Sequence, residues 1–256
     1  MPGPGPTLPP RTALTETALV LGVSLGASAV WSVLAIVGKL SAPTGLAQQT
    51  TAMNRTVTPG QPWLDLAHQL TGIALALVPV ALALHLLGRQ HAAPARLVGL
   101  DAAEPLRDVL RGAGLAAIIG VPGLALYLAA RALGVNTSVA AADLDRVWWV
   151  VPVLLLAAVQ NAVLEEVVMV GYLFTRWREA GWPTARVILL SALIRGTYHL
   201  YQGFGAFVGN VLMGVLLGLV YLRTRRVMPL VVAHALIDAV AFVGYALLAG
   251  RLPWLT

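Results

Sequence analysis

The chain has 256 residues, 58% of them hydrophobic and 11% charged, with a formal net charge of +6 and no cysteine. A water-soluble domain carries about a quarter charged residues, so a soluble globular protein is excluded. The missing cysteines exclude disulfides, thiolate metal sites and cysteine nucleophiles. The basic excess is arginine scattered singly between apolar runs, with Lys39 the only lysine, which excludes the basic stripe of a nucleic-acid-binding surface.

In chain order, residues 1–12 are rich in Pro and Gly and read as a disordered tail. An apolar stretch of about 20 residues crosses a bilayer as a helix, and seven such stretches follow: 17–37, 66–87, 112–130, 147–174, 184–200, 204–222 and 227–248. The first is longer than the roughly 7–15 apolar residues of a signal peptide, so it reads as a span and not a leader. Within residues 13–145, which hold the N-terminal spans, segment 100–111 is expected to form a short interfacial helix. Asp101 and Glu104 have N-cap and N3 spacing there, and Leu106, Val109 and Leu110 share a face. Trp148 and Trp149 sit where an aromatic belt meets the headgroups. Gly205-xxx-Gly209 and Gly214-xxx-Gly218 in the sixth span allow close helix approach. The fold expected is an all-α, polytopic transmembrane helix bundle of seven spans, or eight if a further segment inserts. Spans four to seven, over residues 146–250, form its core.

The arginines orient this bundle. One side receives Arg11, Arg89, Arg96, Arg107, Arg111, Arg176, Arg178, Arg186, Arg223, Arg225 and Arg226; the other receives Lys39, Arg55, Arg131, Arg146 and Arg251. The positive-inside rule then places the N-terminus in the cytoplasm and the C-terminus outside.

Six ionisable residues interrupt the spans: Glu165, Glu166, Arg195, His199, His234 and Asp238. Each such group at the bilayer centre is unfavourable by roughly 2.5–3.5 kcal/mol on insertion scales, so three neighbouring helices carrying six of them need a shared reason. At about 1.5 Å per residue, Glu165 lies about 16 Å from the Arg176 boundary and His199 about 20 Å from Arg186. His234 and Asp238 lie about 12 and 18 Å from Arg226. The groups therefore fall in one layer, expected in the cytoplasmic half. His234 and Asp238 stand one turn apart on one face, as do Arg195 and His199. Asn161 precedes Glu165 by one turn, and Asn210 in the sixth span is placed to add a donor. His68 and His85 have no acidic partner at matching depth except Asp65 and read as interfacial or core residues.

Glu165-Glu166, then His199, then His234-xxx-Asp238 resemble the three ordered motifs of the CAAX protease and bacteriocin-processing (CPBP, Abi-type) family of intramembrane proteases. The resemblance covers about residues 150–245. That family has paired glutamates followed by an arginine, then Phe-xxx-His, then His-xxx-Asn/Asp. Val170 stands here at the arginine position and Arg195 at the phenylalanine position. Read together, the positive charge has moved from one helix to the next while still facing the glutamates. The resemblance implies an intramembrane endopeptidase: Glu165 with His199 activates a water, and His234, oriented by Asp238, stabilises the oxyanion. Glu166 is the supporting carboxylate, with Arg195, Asn161 and Asn210 assisting. An ionised Asp238 cannot itself donate to an oxyanion.

The same residues allow a zinc ion on some of Glu165, His199, His234 and Asp238, or no cofactor; the metal-free reading is preferred. No His-Glu-xx-His motif is present. Two other functions compete with proteolysis: a proton-coupled transporter, which relays protons through intramembrane carboxylates, and a catalytically silent family member acting as an immunity or scaffold protein. The partners expected are the lipid bilayer and a membrane-associated or membrane-anchored peptide or protein substrate, without nucleic acid. The wealth of Ala, Leu, Gly and Arg suggests a GC-rich bacterial genome and a place in the bacterial plasma membrane, where prenylated peptides are a less natural substrate.

Overall fold

The computed structural model describes residues 8–145, 147–249 and 251. Residues 1–7 of the expected tail lie outside the described residues, as do Arg146 and Gly250 at the bounds of the expected core. Helix α1 (Pro10–Gly22) begins within the segment read as a tail. Pro10 stands in its first turn, where no N–H is needed and a fixed φ suits helix entry. A break at Val23 and Ser24 separates it from α2 (Leu25–Leu40), which is bent 54° away, so the expected first span is a bent pair. The Ser24 hydroxyl donates to the Val20 carbonyl at 2.5 Å, satisfying one of the groups left over at the end of α1.

A three-residue strand β1 (Thr50–Ala52) precedes α3 (Pro62–Ala76) and α4 (Val78–Gly88), which continue one another across Leu77 beside Pro79. A single turn, α5 (Pro94–Leu97), leads to the 28-residue α6 (Pro105–Ala132). The separate interfacial helix expected over 100–111 is not formed: residues 101–104 are bends, and 105–111 are the opening turns of α6. Nor does the Asp101–Glu104 pair cap a helix. Asp101 Oδ1 accepts the Ala103 N–H at 2.9 Å, and Glu104 is an N-cap residue without a side-chain cap. Strand β2 (Ser138–Ala140) pairs in parallel with β1 in the register Thr50–Ser138, Thr51–Val139, Ala52–Ala140.

The second half runs through α7 (Val150–Glu165), a π-helical segment (Glu166–Tyr172) and α8 (Leu173–Glu179) as one stretch of 30 residues. It ends with α9 (Thr184–His199), α10 (Phe204–Thr224) and α11 (Met228–Leu248). Among the described residues, five helical stretches are long and apolar enough to cross a membrane, or six if α1 with α2 is one span. Seven had been expected. The difference is α9, whose 16 residues fall short of the roughly 20 that a bilayer core needs; it is sheltered between α2 and α10. Helix α6 faces outward, with Leu106, Ile118 and Val121 more than 60% exposed. Apolar surface on that scale belongs in lipid. The protein is an all-α polytopic membrane bundle.

Close packing of α9 on α10 depends on small residues. A methyl group at Gly196 would meet the Phe207 carbonyl oxygen at 2.8 Å, and one at Gly214 would meet the Ala192 Cα at 2.9 Å. Backbone on the receiving side cannot yield as a flexible side chain does. Gly196→Ala is therefore expected to destabilise the bundle by about 1–3 kcal/mol, read as a lower midpoint of thermal unfolding in detergent; an unchanged midpoint would show the two helices to be more loosely packed.

Ion pairs bind the arginine-rich helix ends. Arg176, fully buried, donates to the Leu86 carbonyl at 2.6 Å, to Gln90 Oε1 at 2.7 Å and to Glu179 Oε2 at 2.9 Å, and lies 3.3 Å from Glu16 Oε2. It thereby joins α1, α4 and α8. Arg226, before α11, reaches Asp108 at 2.7 Å and Asp101 at 2.9 Å. The Ala103 N–H and then the Arg226 guanidinium hold the Asp101 carboxyl below its ordinary value of 3.8. A native value below the unfolded one adds stability that is complete above the unfolded value and is lost as pH falls through the native one. Melting temperature should thus decline below about pH 4. Asp101→Asn should remove part of that decline while lowering the neutral-pH value slightly, since Arg226 keeps Asp108 as its partner at 2.7 Å.

Candidate active site

Three elements meet at one buried layer. Glu165 closes α7 and Glu166 opens the π-helical segment, Arg195, Tyr198 and His199 occupy the last turns of α9, and His234 and Asp238 lie one turn apart on α11. Val167, Val168 and Val170 follow the glutamates and are fully or almost fully buried. Such β-branched residues weaken a regular α-helix, and single widened turns of this kind recur at functional sites. The wider turn leaves backbone groups to be satisfied from outside, and the Ser191 hydroxyl of α9 donates to the Met169 carbonyl at 2.7 Å.

Glu165 Oε2 is the centre of the arrangement. The Tyr198 hydroxyl donates to it at 2.7 Å and Arg195 Nη1 at 3.3 Å. His199 Nε2 stands 3.8 Å away and His234 Nε2 4.0 Å away. Arg195 Nη2 lies 2.9 Å from Glu166 Oε1. One guanidinium, 1% exposed, thus faces both glutamates from the neighbouring helix. Val170, at the family's arginine position, is 1% exposed and adds no charge.

His234 is held differently from the expectation. Its Nδ1 is 2.8 Å from Glu166 Oε1, whereas Asp238 Oδ1 lies 3.8 Å from Nε2. Glu166, not Asp238, is the carboxylate that orients this imidazole, because the π-helical turn carries Glu166 onto the inner face beside α11. Asp238 is itself engaged by Asn161, whose Nδ2 donates to Asp238 Oδ2 at 3.2 Å. Asn210 is not brought to the cluster: it donates to the Ala206 carbonyl one turn back in its own helix at 3.0 Å. His199 is the last residue of α9, about 22 Å along the helix from Thr184. On this helix the polar layer is at the end remote from Arg186 and not in the half nearest it.

Tyr198 and Gln202 were not anticipated. Tyr198 lies three residues after Arg195, on the same face of α9, and that spacing is its one signal in the sequence. Gln202, in the turn after His199, places its Nε2 3.5 Å from His199 Nδ1 and 3.0 Å from the Tyr201 hydroxyl. His199 Nε2 is buried and makes no hydrogen bond among the described residues.

Glu165, Glu166 and His234 bring one ligand atom each within 4.8 Å of one another. Zinc takes four N, O or S ligands at about 2.0–2.3 Å. The donor types suit it, but Arg195 is already placed against both carboxylates, and a divalent cation would have to share them with that fixed positive charge. His199 and Asp238 stand outside this close group.

Residues 147–240 match the model of a family described as type II CAAX prenyl endopeptidase Rce1-like. All six ionisable residues of the cluster lie within this segment. No curated protein and no solved structure matches the chain. The paired glutamates, His199 and the His234–Asp238 turn converge inside the matched residues, and over 147–240 the chain is similar to the Rce1-like type II CAAX prenyl endopeptidases.

Proposed function

We propose that this protein is an intramembrane endopeptidase in which Glu165, paired with His199, activates a water molecule to attack a peptide carbonyl. One observation carries the reading: Glu165 Oε2 is the common neighbour of Tyr198, Arg195, His199 and His234. Tyr198 and Arg195 hold the carboxylate from one side. The 3.8 Å gap to His199 Nε2 lets both atoms reach one water at about 2.8 Å each. A positioned carboxylate acting as general base supplies about 10²–10⁴ in rate.

His234 takes the oxyanion role. Its Nδ1–H is directed at Glu166, so Nε2 donates to a developing oxyanion only when the ring carries both protons. Glu165, Glu166 and Asp238 surround such an imidazolium with compensating charge. Asp238, accepting from Asn161, sits on the Nε2 side and completes the rim. Arg195 already balances the glutamate pair, which favours chemistry without a metal. The substrate is a membrane-associated or membrane-anchored peptide or protein. Composition favours a bacterial plasma membrane; with α9 crossing as a short seventh span, the arginine asymmetry favours a cytoplasmic N-terminus.

The test is a quantitative comparison of membrane-derived peptides from cells expressing the wild type and Glu165→Ala. Defined peptides should disappear, and their uncleaved precursors accumulate, in the variant. Identical peptide populations, with both proteins folded in the membrane, would favour the silent scaffold.

A further inference from the structure

The turn that follows His199 is held by residues outside the matched segment. The Lys39 ammonium at the end of α2 donates to the Tyr201 carbonyl at 2.6 Å and makes a very short contact with the Thr51 hydroxyl of β1. Thr51 Oγ1 and Thr137 Oγ1 are 2.7 Å apart, and the Thr137 hydroxyl and backbone N–H both donate to the Gln202 carbonyl at 2.9 Å. Ser32 Oγ, also on α2, accepts the Tyr201 N–H at 2.7 Å. On the far side of the turn the Phe204 N–H reaches the Val135 carbonyl at 2.9 Å. Gly203 has φ +125 and lies so close to Asn136 that an added Cβ would be 2.6 Å from its Cα.

These contacts have a direction. The turn has no regular secondary structure to fix it beyond one 3₁₀ turn (Leu200–Gln202), yet it immediately follows a histidine that faces Glu165. Gln202 returns its side-chain amide to His199 Nδ1 at 3.5 Å. An amide N–H donated to Nδ1 leaves the neutral ring's proton on Nε2, the atom facing Glu165. The backbone of Gln202 is in turn fixed through Thr137, Thr51 and Lys39. The sole lysine thus bonds directly to Tyr201 in the turn that aims His199, and reaches the Gln202 carbonyl through Thr51 and Thr137, from a helix that the family match leaves out.

We propose that Lys39 is a positioning residue for His199: through Tyr201, Thr51 and Thr137 it fixes the turn from which Gln202 sets the orientation and tautomer of the His199 ring. This rests on the reading of His199 as part of the water-activating pair. It makes the N-terminal helices and the two-stranded ribbon part of the working site. Arginine at position 39 can still donate to a hydroxyl and a carbonyl; methionine fills the space but donates nothing.

The experiment combines a double-mutant cycle with a chemical probe, on the full-length protein in detergent or liposomes. With a substrate peptide, Lys39→Met should lower kcat at least tenfold with KM within about twofold, and Lys39→Arg should restore most of the loss. In the His199→Ala background, Lys39→Met should have no further effect, since the two act as one unit. An equal further loss in that background would make Lys39 merely structural and overturn the proposal. Full activity of His199→Ala would instead overturn the assigned role of His199. Independent of activity, diethyl pyrocarbonate modification of His199, followed by mass spectrometry, should rise several-fold in Lys39→Met. His68 and His85 serve as internal controls, and Lys39→Arg should resemble the wild type. An unchanged His199 modification rate in Lys39→Met also overturns the proposal.

Discussion

Replacing Arg195 with methionine is expected to destabilise the protein by about 3–5 kcal/mol, the usual consequence of removing one partner from a buried ion pair. The guanidinium is 1% exposed and faces two carboxylates, at 3.3 Å from Glu165 and 2.9 Å from Glu166. Without it, two adjacent carboxylates in an apolar surrounding repel one another and lose their principal compensation. Arg195→Lys should recover only part of the stability. A lysine ammonium is a compact point charge, whereas the planar guanidinium presents separate N–H groups to two acceptors. Unfolding midpoints of the three proteins in one detergent measure the effect. A methionine variant that melts with the wild type would show that the charge had not moved from the Val170 position to α9 to serve the glutamates.

Glu165→Gln should lower the rate of peptide cleavage by about 10²–10⁴-fold, the range expected for loss of a general base, with little change in KM. The amide oxygen can still accept from Tyr198 and Arg195, so the fold should persist. What is lost is the ability to take a proton from water. His199→Ala should give a smaller loss if a water still reaches Glu165. Steady-state kinetics on one peptide separate the two. Equal and complete inactivation of both would indicate that the pair acts as a unit, whereas an active Glu165→Gln would remove Glu165 from the base role.

The ionisable residues were legible because charge inside apolar runs is expensive, and Glu165, Glu166, His199, His234 and Asp238 stood out against VLEEVVMV-like surroundings. The Arg195–glutamate pairing was legible for a related reason: a charge missing at Val170 and a charge added at Arg195 had to be explained together. What the residues could not disclose was geometry between helices. Whether Glu166 or Asp238 orients His234 depends on the π-helical turn at Glu166–Tyr172, which shifts the helical register by a fraction of a turn and leaves no mark in hydrophobic periodicity. Asn210 shared a plausible span but spends its donor on Ala206. Tyr198 reads in isolation as an ordinary core aromatic.

Element ends were the least legible feature. The bend between α1 and α2 falls at Val23-Ser24, without a proline, and the early end of α9 at His199 follows from tertiary hydrogen bonds to its next turn. Strands β1 and β2 are three residues each and pair across 88 positions of sequence, beyond the reach of local pattern. The Lys39 network could not be seen for the same reason: its partners are dispersed over α2, β1, the segment before β2 and the α9–α10 turn.

The measurement that bears most directly on the central claim is the appearance of new peptide amino termini when purified protein, treated with chelator and reconstituted in liposomes, is incubated with membrane-extracted peptides. The wild type should generate a defined set of new termini that survives chelation, and Glu165→Gln should generate none. No cleavage by a folded wild-type protein, or the same termini from Glu165→Gln, would contradict a hydrolytic site centred on Glu165.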